Sequence, residues 1–183
     1  MTTEFIEYNK LPINLNLTNT NFDVLWELRP TENQYVVIFG KQIKAPRKYK
    51  VYGAEYSFNG NRNNQEENPI PLLVQPYLDY INSFDDITYN SLLINWYEND
   101  NYVGFHSDNE KGLSKTADIY GISFGEKRTM RFKNDNEKID YILEDNSIIK
   151  MKNGCQEKYK HSILKSTKLT GKRISLTFRC IKK

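Results

Sequence analysis

The sequence predicts one mainly β domain (α+β) built around a double-stranded β-helix, or jelly roll, with one or two supporting N-terminal helices. At 183 residues the chain has the size of a single domain. Aromatic residues make up 13% of it, with 13 Tyr and 9 Phe, while the hydrophobic share is only 38%, a balance that favours strands over a helical bundle. From Ser91 onward about eight short strand-like runs alternate with turns rich in Asn, Asp and Gly. Many short strands in so few residues are typical of a closed or two-sheet β architecture.

Individual elements follow from local patterns. Thr20–Leu28 has the spacing of a short amphipathic helix that ends before Pro30, and Pro69–Phe84 has helical spacing that Pro76 could bend. Gln34–Phe39 is rich in β-forming residues, and Asn59–Asn68 is a polar loop. The remaining strand predictions are Leu92–Tyr97, Tyr102–His106, Ile119–Phe124, Thr129–Phe132, Ile139–Leu143, Ile148–Met151, Lys160–Leu164 and Ile174–Ile181.

Positive charge is concentrated in two segments of a chain whose net charge is only +3. Residues 150–183 hold eleven Lys or Arg and a single acid, Glu157, which leaves 15 basic and 22 acidic residues elsewhere. A second basic run, Lys41–Lys50, contains no acid. Such clustering suits a polyanionic partner, although a solvated lysine-rich surface explains it equally well.

Other classes are excluded by what the sequence lacks. No apolar run approaches the roughly 18 residues that a membrane-spanning helix needs, so no membrane role is expected. The first ten residues show no apolar segment of the kind that directs secretion. Cys155 and Cys180 are too few for a disulfide framework or a thiolate zinc site, which favours a reduced, intracellular location.

A possible metal site begins with His106-Ser107-Asp108. On an extended strand, residues two apart point to the same face, so this imidazole and carboxylate can converge on one ion. The only other histidine, His161, follows 53 residues after Asp108. Two histidines and one carboxylate form the facial triad that leaves coordination positions open on Fe(II).

A second polar pattern lies in the strand Arg173–Arg179. With a period of two, its polar members share one face and its apolar members the other. Two arginines facing the interior are costly to bury without anions, and a dicarboxylate supplies two. The polar face carries Arg173, Ser175, Thr177 and Arg179.

These residues resemble the AlkB family of Fe(II)- and 2-oxoglutarate-dependent dioxygenases, closest to its eukaryotic DNA-repair branch, the AlkB homologue 2 and 3 type. The resemblance covers roughly residues 35 to 181. Besides the triad and the arginine strand, it rests on Phe39-Gly40-Lys41, Pro46-Arg47-Lys48, Tyr52-Gly53, Tyr56-Ser57-Phe58, Asn95-Trp96-Tyr97 and Ile122-Ser123-Phe124-Gly125.

The resemblance implies a set of roles around the metal. The triad would hold iron, with 2-oxoglutarate and O2 as co-substrates. Arg173 would pair with the distal carboxylate of 2-oxoglutarate with help from Tyr97. Arg179 and Asn95 would fix the end nearer the metal, with Thr177 close by, and Ser175 stands where the family usually has Asn. The reaction would be oxidative removal of N-alkyl groups from bases such as 1-methyladenine and 3-methylcytosine, releasing formaldehyde and succinate.

The resemblance also implies a base-binding region. The first 90 residues would supply the helices and a nucleotide-recognition lid, and residues 91–183 the jelly-roll core. Phe39 would act as an intercalating finger, Arg47 and neighbouring lysines would contact phosphates, and Glu110 would lie near the edge of the flipped base. Tyr56 and Phe58 would line the base pocket, and Asn109 replaces an acid of the closest branch. A monomer acting on nucleic acid, with DNA favoured over RNA, is therefore expected.

Three alternatives stay open. The same chemistry could act on RNA or single-stranded DNA, with no intercalating role for Phe39. An enzyme of the same fold could act on a protein or a small molecule. The chain could also be a catalytically inert jelly roll that binds nucleic acid.

Overall fold

A computed structural model describes residues 3–38, 40–54, 68–84, 86–166, 168 and 171–182. Its helices are α1 (Asn19–Glu27), α2 (Gln75–Asn82) and the single turn α3 (Cys155–Lys158), with short 3-10 turns at Ile13–Leu15 and Leu72–Val74. Its strands are β1 (Ile6–Lys10), β2 (Tyr35–Ile38), β3 (Lys41–Lys44), β4 (Lys48–Gly53), β5 (Ser91–Tyr97), β6 (Val103–His106), β7 (Ile119–Gly125), β8 (Arg128–Lys133), β9 (Lys138–Leu143), β10 (Ser147–Met151), β11 (Lys160–Ile163) and β12 (Arg173–Arg179).

Two antiparallel sheets form the body of the protein. The major sheet has six strands in the order β1-β10-β7-β12-β5-β4, and the minor sheet has four in the order β6-β11-β8-β9. A separate two-stranded ribbon pairs β2 with β3. Non-consecutive neighbours in both sheets are the topology expected of a jelly roll, and the predicted fold class is confirmed.

Two layers of apolar side chains position the functional site between the sheets. One layer packs helices α1 and α2 on the outer side of the major sheet, where the Trp96 indole donates a 2.9 Å hydrogen bond to the Leu25 carbonyl. The other layer lies between the two sheets and contains the fully buried Phe132 and Ile6. Because β5 is buried along its whole length, it presents side chains to both layers.

The predicted elements differ from the structure mainly in the N-terminal part. The helix expected over Pro69–Phe84 is shorter, because a 3-10 turn precedes α2 and Pro76 stands at its first turn, where a missing N–H costs nothing. Strands β1, β3 and β4 were not predicted. Since β1 and β4 join the major sheet, the jelly roll draws strands from before residue 91; the proposed division at residue 90 stays a prediction. The loop expected over Asn59–Asn68 lies, apart from Asn68, outside the described residues.

Within the part of the chain that the structure describes, no helix is long and apolar enough to cross a membrane.

Candidate metal centre and cofactor cavity

The three predicted metal ligands come together in the minor sheet. His106 is the last residue of β6 and pairs directly with His161 on β11, so the two imidazole centroids lie 4.3 Å apart. Asp108 lies in the loop after β6, and its Oδ1 is 3.5 Å from His106 Nε2. One ligand atom from each residue lies within 4.8 Å of the others, which is the arrangement one ion requires. The convergence expected from an extended strand is therefore produced by a strand end and a loop.

Hydrogen bonds orient two of these side chains. The Nδ1–H of His106 donates to the Gly104 carbonyl at 2.9 Å, which leaves Nε2 as the free lone pair for a metal. The backbone N–H of Asp108 donates to Gln156 Oε1 at 2.9 Å, which ties the ligand loop to α3. Arg179 Nη2 lies 2.8 Å from Asp108 Oδ2, so Asp108 Oδ1 is left facing the two histidines.

The protonation states suit metal binding. Burial, followed by the charge of His106, lowers the pKa of His161 to about 3, so this imidazole is neutral. Burial favours the neutral form of Asp108, but its contact with His106 outweighs burial and lowers the pKa. Burial lowers the pKa of His106, but the Asp108 carboxylate outweighs it and raises the pKa. Asp108 Oδ1 and His161 Nδ1 are buried without a hydrogen-bond partner among the described residues, which fits side chains that would hold a cation.

The arginine strand lies where the sequence predicts it, in the middle of the major sheet. The polar side of β12 faces a small cavity of about 60 Å³ that reaches the metal ligands, while Ile174, Leu176 and Phe178 are fully buried on the other side. The cofactor residues expected from the sequence all line this cavity: Asn95, Tyr97, Arg173, Ser175, Thr177 and Arg179.

Arg173 is the most informative residue of the cavity. It is 1% exposed, its Nη2 donates to Ser123 Oγ at 2.9 Å, and its guanidinium lies 4.8 Å from the centre of the Tyr97 ring. Its Nε and Nη1 have no partner among the described residues, and burial lowers its pKa. Burying such donors is costly unless an anion enters, so the residues present fit a bound dicarboxylate.

Arg179 stands at the other end of the strand, beside the metal ligands. Burial, followed by repulsion from Arg47, lowers its pKa to about 9, so it keeps its charge at neutral pH. Its ion pair with Asp108 links the cofactor cavity to the metal centre. The two arginines of β12 stand at opposite ends of the strand and both line the cavity, where the two carboxylates of a dicarboxylate could each find a cationic partner.

Arg47 lies at the cofactor cavity. Its side chain is only 8% exposed, its Nε donates to Asn95 Oδ1 at 2.6 Å, and it lines the same cavity as the arginines of β12. The expectation that Arg47 contacts backbone phosphates stays a prediction, while the position of its side chain at the cavity favours a contact there.

The predicted base-contacting residues are only partly described. Phe39, Tyr56 and Phe58 lie outside the described residues. Glu110 stands two residues after Asp108, at a groove of about 570 Å³ that Asp108 and Arg179 also line. Burial and the nearby Asp108 charge raise the pKa of Glu110 to about 7. Asn109 is exposed, and Ser175 is nearly buried.

Two contributors were missed by sequence reasoning. Gln156 holds the Asp108 backbone, and Ser123 holds Arg173. Nothing in the local sequence marks Gln156. Ser123 could have been found from the sequence, since it belongs to the family motif Ile122-Ser123-Phe124-Gly125. In the sheet it stands opposite Ser175.

Comparison with known proteins gives the class. Residues 29–179 match the family model described as the 2OG-Fe(II) oxygenase superfamily. The chain belongs to this superfamily and is an Fe(II)- and 2-oxoglutarate-dependent dioxygenase, and its His-Asp-His triad fits the metal of that class.

Within that class the resemblance to AlkB proteins is confirmed. The chain is 28% identical to human DNA oxidative demethylase ALKBH2 over 160 residues, covering 80% of this chain and 60% of that protein. It is also 28% identical to the human alkB homolog 3 dioxygenase, covering 87% of this chain and 58% of that one. The chain thus spans about six tenths of the length of these two human relatives.

Two further matches are nearly full length. An uncharacterized mimivirus protein, R406, is 28% identical over 178 residues, covering 94% of this chain and 91% of the viral protein. The solved structure of OsALKBH1 superposes with a TM-score of 0.66 at 13% identity, covering 98% of this chain and 99% of that one. This last match supports the fold alone.

Proposed function

We propose that the chain oxidatively removes alkyl groups from N-alkylated bases of nucleic acid, with 1-methyladenine and 3-methylcytosine in DNA as the expected substrates. The observation that carries the proposal is the position of Glu110, whose carboxyl lies beside the metal ligand Asp108 at the wall of a groove. These lesions are cationic and present an exocyclic amino group, so a carboxyl group next to the oxidising centre, which a bound cation would hold in its ionised form, is the complementary group. The name of the ALKBH2 relatives supports DNA as substrate.

The residues have distinct tasks in this reaction. His106, Asp108 and His161 would hold Fe(II), and the arginines of β12 would hold 2-oxoglutarate. When bound, iron with 2-oxoglutarate and O2 supplies hydroxylation of the N-alkyl carbon, after which the base releases formaldehyde. The protein would orient the co-substrate through Arg173 in a small cavity between the two sheets, where contact with water is limited.

The ribbon of β2 and β3 is the proposed duplex-contacting element. It stands apart from both sheets and exposes Tyr35, Val37 and Ile43 by 46%, 42% and 46%, with Lys41 and Lys44 on its second strand. Its connection contains Phe39 and Gly40, and Gly40 has a φ of 74°. Apolar tips of this kind can wedge between base pairs while lysines bind phosphates.

Phe39 tests that role. We expect Phe39→Ala to lower turnover on duplex substrate on the order of ten-fold, because one buried apolar contact is lost, and to leave single-stranded substrate unaffected. Ile13→Ala, which removes an exposed apolar side chain outside the ribbon, is the matched control. Equal duplex turnover by Phe39→Ala and the wild type would remove the finger assignment and favour single-stranded DNA or RNA as substrate.

A second candidate contact surface is a row of lysines across the minor sheet. Lys160 pairs directly with Lys133, which pairs directly with Lys138. The neighbouring row contains the buried His161 and Phe132, so the lysines point to the opposite, outer face of the minor sheet. Like charges directly opposite each other destabilise a sheet, and no acidic partner of these lysines is found among the described residues. The row is therefore suited to phosphate groups.

Replacing all three lysines with glutamine tests this surface. We expect weaker oligonucleotide binding. The slope of log K against log salt concentration should be shallower by up to about 2.7, since each phosphate contact contributes about 0.9 to that slope. Thermal stability should be unchanged or higher, because the like-charge repulsion is removed. The control is the triple glutamine variant of Lys10, Lys152 and Lys165, which removes the same charge from three ion-paired sites. Equal salt slopes in the two triple variants would reject the surface.

The central experiment measures formaldehyde and succinate together. The protein is supplied with Fe(II), 2-oxoglutarate and ascorbate and with 1-methyladenine in single-stranded DNA, duplex DNA or RNA; unmethylated strands are the control. We expect formaldehyde and succinate in equal amounts, with DNA preferred. Succinate without formaldehyde from any methylated strand would indicate another substrate class, and no succinate at all would indicate an inert binding protein.

A further inference from the structure

The basic run Lys41–Lys50 does not behave as one surface. Lys41 and Lys44 are exposed, and Lys48 and Lys50 are partly exposed, as expected for a charged segment in contact with solvent. Arg47, in the same segment, is 8% exposed. One cation of the run is thus directed away from solvent, and its burial needs a reason other than phosphate binding.

The surroundings of Arg47 supply that reason. Its guanidinium lies 5.4 Å from the centre of the Tyr49 ring, and its Nε donates to Asn95 Oδ1 at 2.6 Å. No acceptor for its terminal amino groups is found among the described residues. Because those groups carry most of the remaining donor capacity, they are available to an anion in the cavity.

Charge in the cavity is unbalanced without such an anion. Three arginines line it, namely Arg47, Arg173 and Arg179, and the carboxylate that the described lining offers is that of Asp108. Arg179 already pairs with Asp108 at 2.8 Å. A dianion therefore has two cations to neutralise, and Arg47 is close enough to the metal side for its charge to lower the pKa of Arg179.

The Arg47 hydrogen bond also settles the orientation of Asn95. The amide oxygen of Asn95 accepts from Arg47, so its amino group is the side that can donate to a ligand. An asparagine held this way presents a donor to a carboxylate and cannot rotate to present its oxygen. This fixed direction matters because Asn95 lies opposite Ser175 on the strand paired with β12.

We propose that Arg47 is a third cationic residue of the 2-oxoglutarate site, acting on the metal-proximal end of the co-substrate through its own charge and through the Asn95 amide. The inference rests on the dependence on 2-oxoglutarate and is independent of which nucleic acid is oxidised. It assigns Arg47 to co-substrate binding, whereas Lys41 and Lys44 remain candidates for phosphate contacts.

Two affinities measured on the same variants test the proposal. Binding of 2-oxoglutarate to the Mn(II)-loaded protein is followed by calorimetry without nucleic acid, and binding of a labelled unmethylated oligonucleotide is followed separately. We expect Arg47→Met to weaken 2-oxoglutarate binding by about 10- to 100-fold, as for a lost charge-assisted hydrogen bond, with oligonucleotide binding unchanged. Arg47→Lys, which keeps the charge but loses the planar fork, should recover part of the affinity. Lys44→Met is the matched control and should leave 2-oxoglutarate binding unchanged.

The contrary result is equally defined. If Arg47→Met binds 2-oxoglutarate within two-fold of the wild type, or loses only oligonucleotide affinity, the proposal is overturned. Mn(II) affinity and a thermal melt establish that each variant is folded, and if Arg47→Met is not, Arg47→Gln, which also removes the charge, carries the same criterion. Because 2-oxoglutarate binding is measured without a base substrate, absence of demethylation would reject the proposed function without affecting this result.

Discussion

Replacing Asp108 with asparagine is expected to abolish detectable product formation and to weaken divalent metal binding more than about 100-fold, beyond the loss typical of residues that only support a ligand. The physical reason is the loss of the negative ligand of the triad, whose Oδ1 is directed at the two histidines. Mn(II) binding by calorimetry, without nucleic acid, measures the effect directly. Formaldehyde release from a 1-methyladenine oligonucleotide gives the functional readout.

Asparagine is preferred to alanine because Asp108 also accepts from Arg179 at 2.8 Å. Alanine would leave a buried guanidinium without its partner and destabilise the protein by about 3–5 kcal/mol. Asp140→Asn is the matched control, since Asp140 forms an exposed ion pair with Arg131 and touches no site residue. Wild-type metal affinity and equal product from Asp108→Asn would reject the metal assignment.

The second large effect is expected at Arg173. Arg173→Gln should lower the affinity for 2-oxoglutarate at least about 100-fold, because a fully buried ion pair with the co-substrate is worth several kcal/mol once formed. The apoprotein should melt at the same temperature or higher, since Nε and Nη1 of Arg173 are buried without a partner in the absence of the co-substrate. Calorimetry on the Mn(II)-loaded protein and a thermal melt measure the two quantities.

Arg131→Gln is the control for Arg173→Gln. Arg131 lies on the minor sheet and forms an exposed ion pair with Asp140. Its replacement should change the 2-oxoglutarate affinity and the melting temperature very little. Affinity for 2-oxoglutarate within about three-fold of the wild type in Arg173→Gln would contradict the assignment of the cavity to this co-substrate.

Strand β12 shows why much of the site could be predicted. Its period-two pattern needs no knowledge of the rest of the chain, and Arg173 and Arg179 face the cavity with Ile174 and Phe178 in the core. The two histidines were similarly constrained, because the sequence contains no others. The pattern survives folding because the two faces of β12 lie against different surroundings, the cavity on one side and the apolar core on the other.

Strands β1 and β4 show what could not be predicted. β4 contains Lys48 and Lys50, which disfavour a strand locally, yet it pairs along its whole length with the buried β5. β1 pairs with β10, some 140 residues further along the chain, and nothing near Ile6 indicates that partner. The burial of Arg47 has the same origin, since it follows from how β4 docks on β5. Contacts between segments that are distant in the chain determine these features. Local patterns in a single sequence do not predict such contacts.

The two halves of the site belong to different sheets. The histidines are on the minor sheet, and the arginines that would hold the co-substrate are on β12 of the major sheet. A co-substrate that binds both the metal and the arginines would connect the two sheets reversibly, in addition to the Arg179–Asp108 ion pair. Co-substrate binding would therefore stabilise the packing of the two sheets against each other as well as supply the reaction. The enzyme without co-substrate would be the more flexible form.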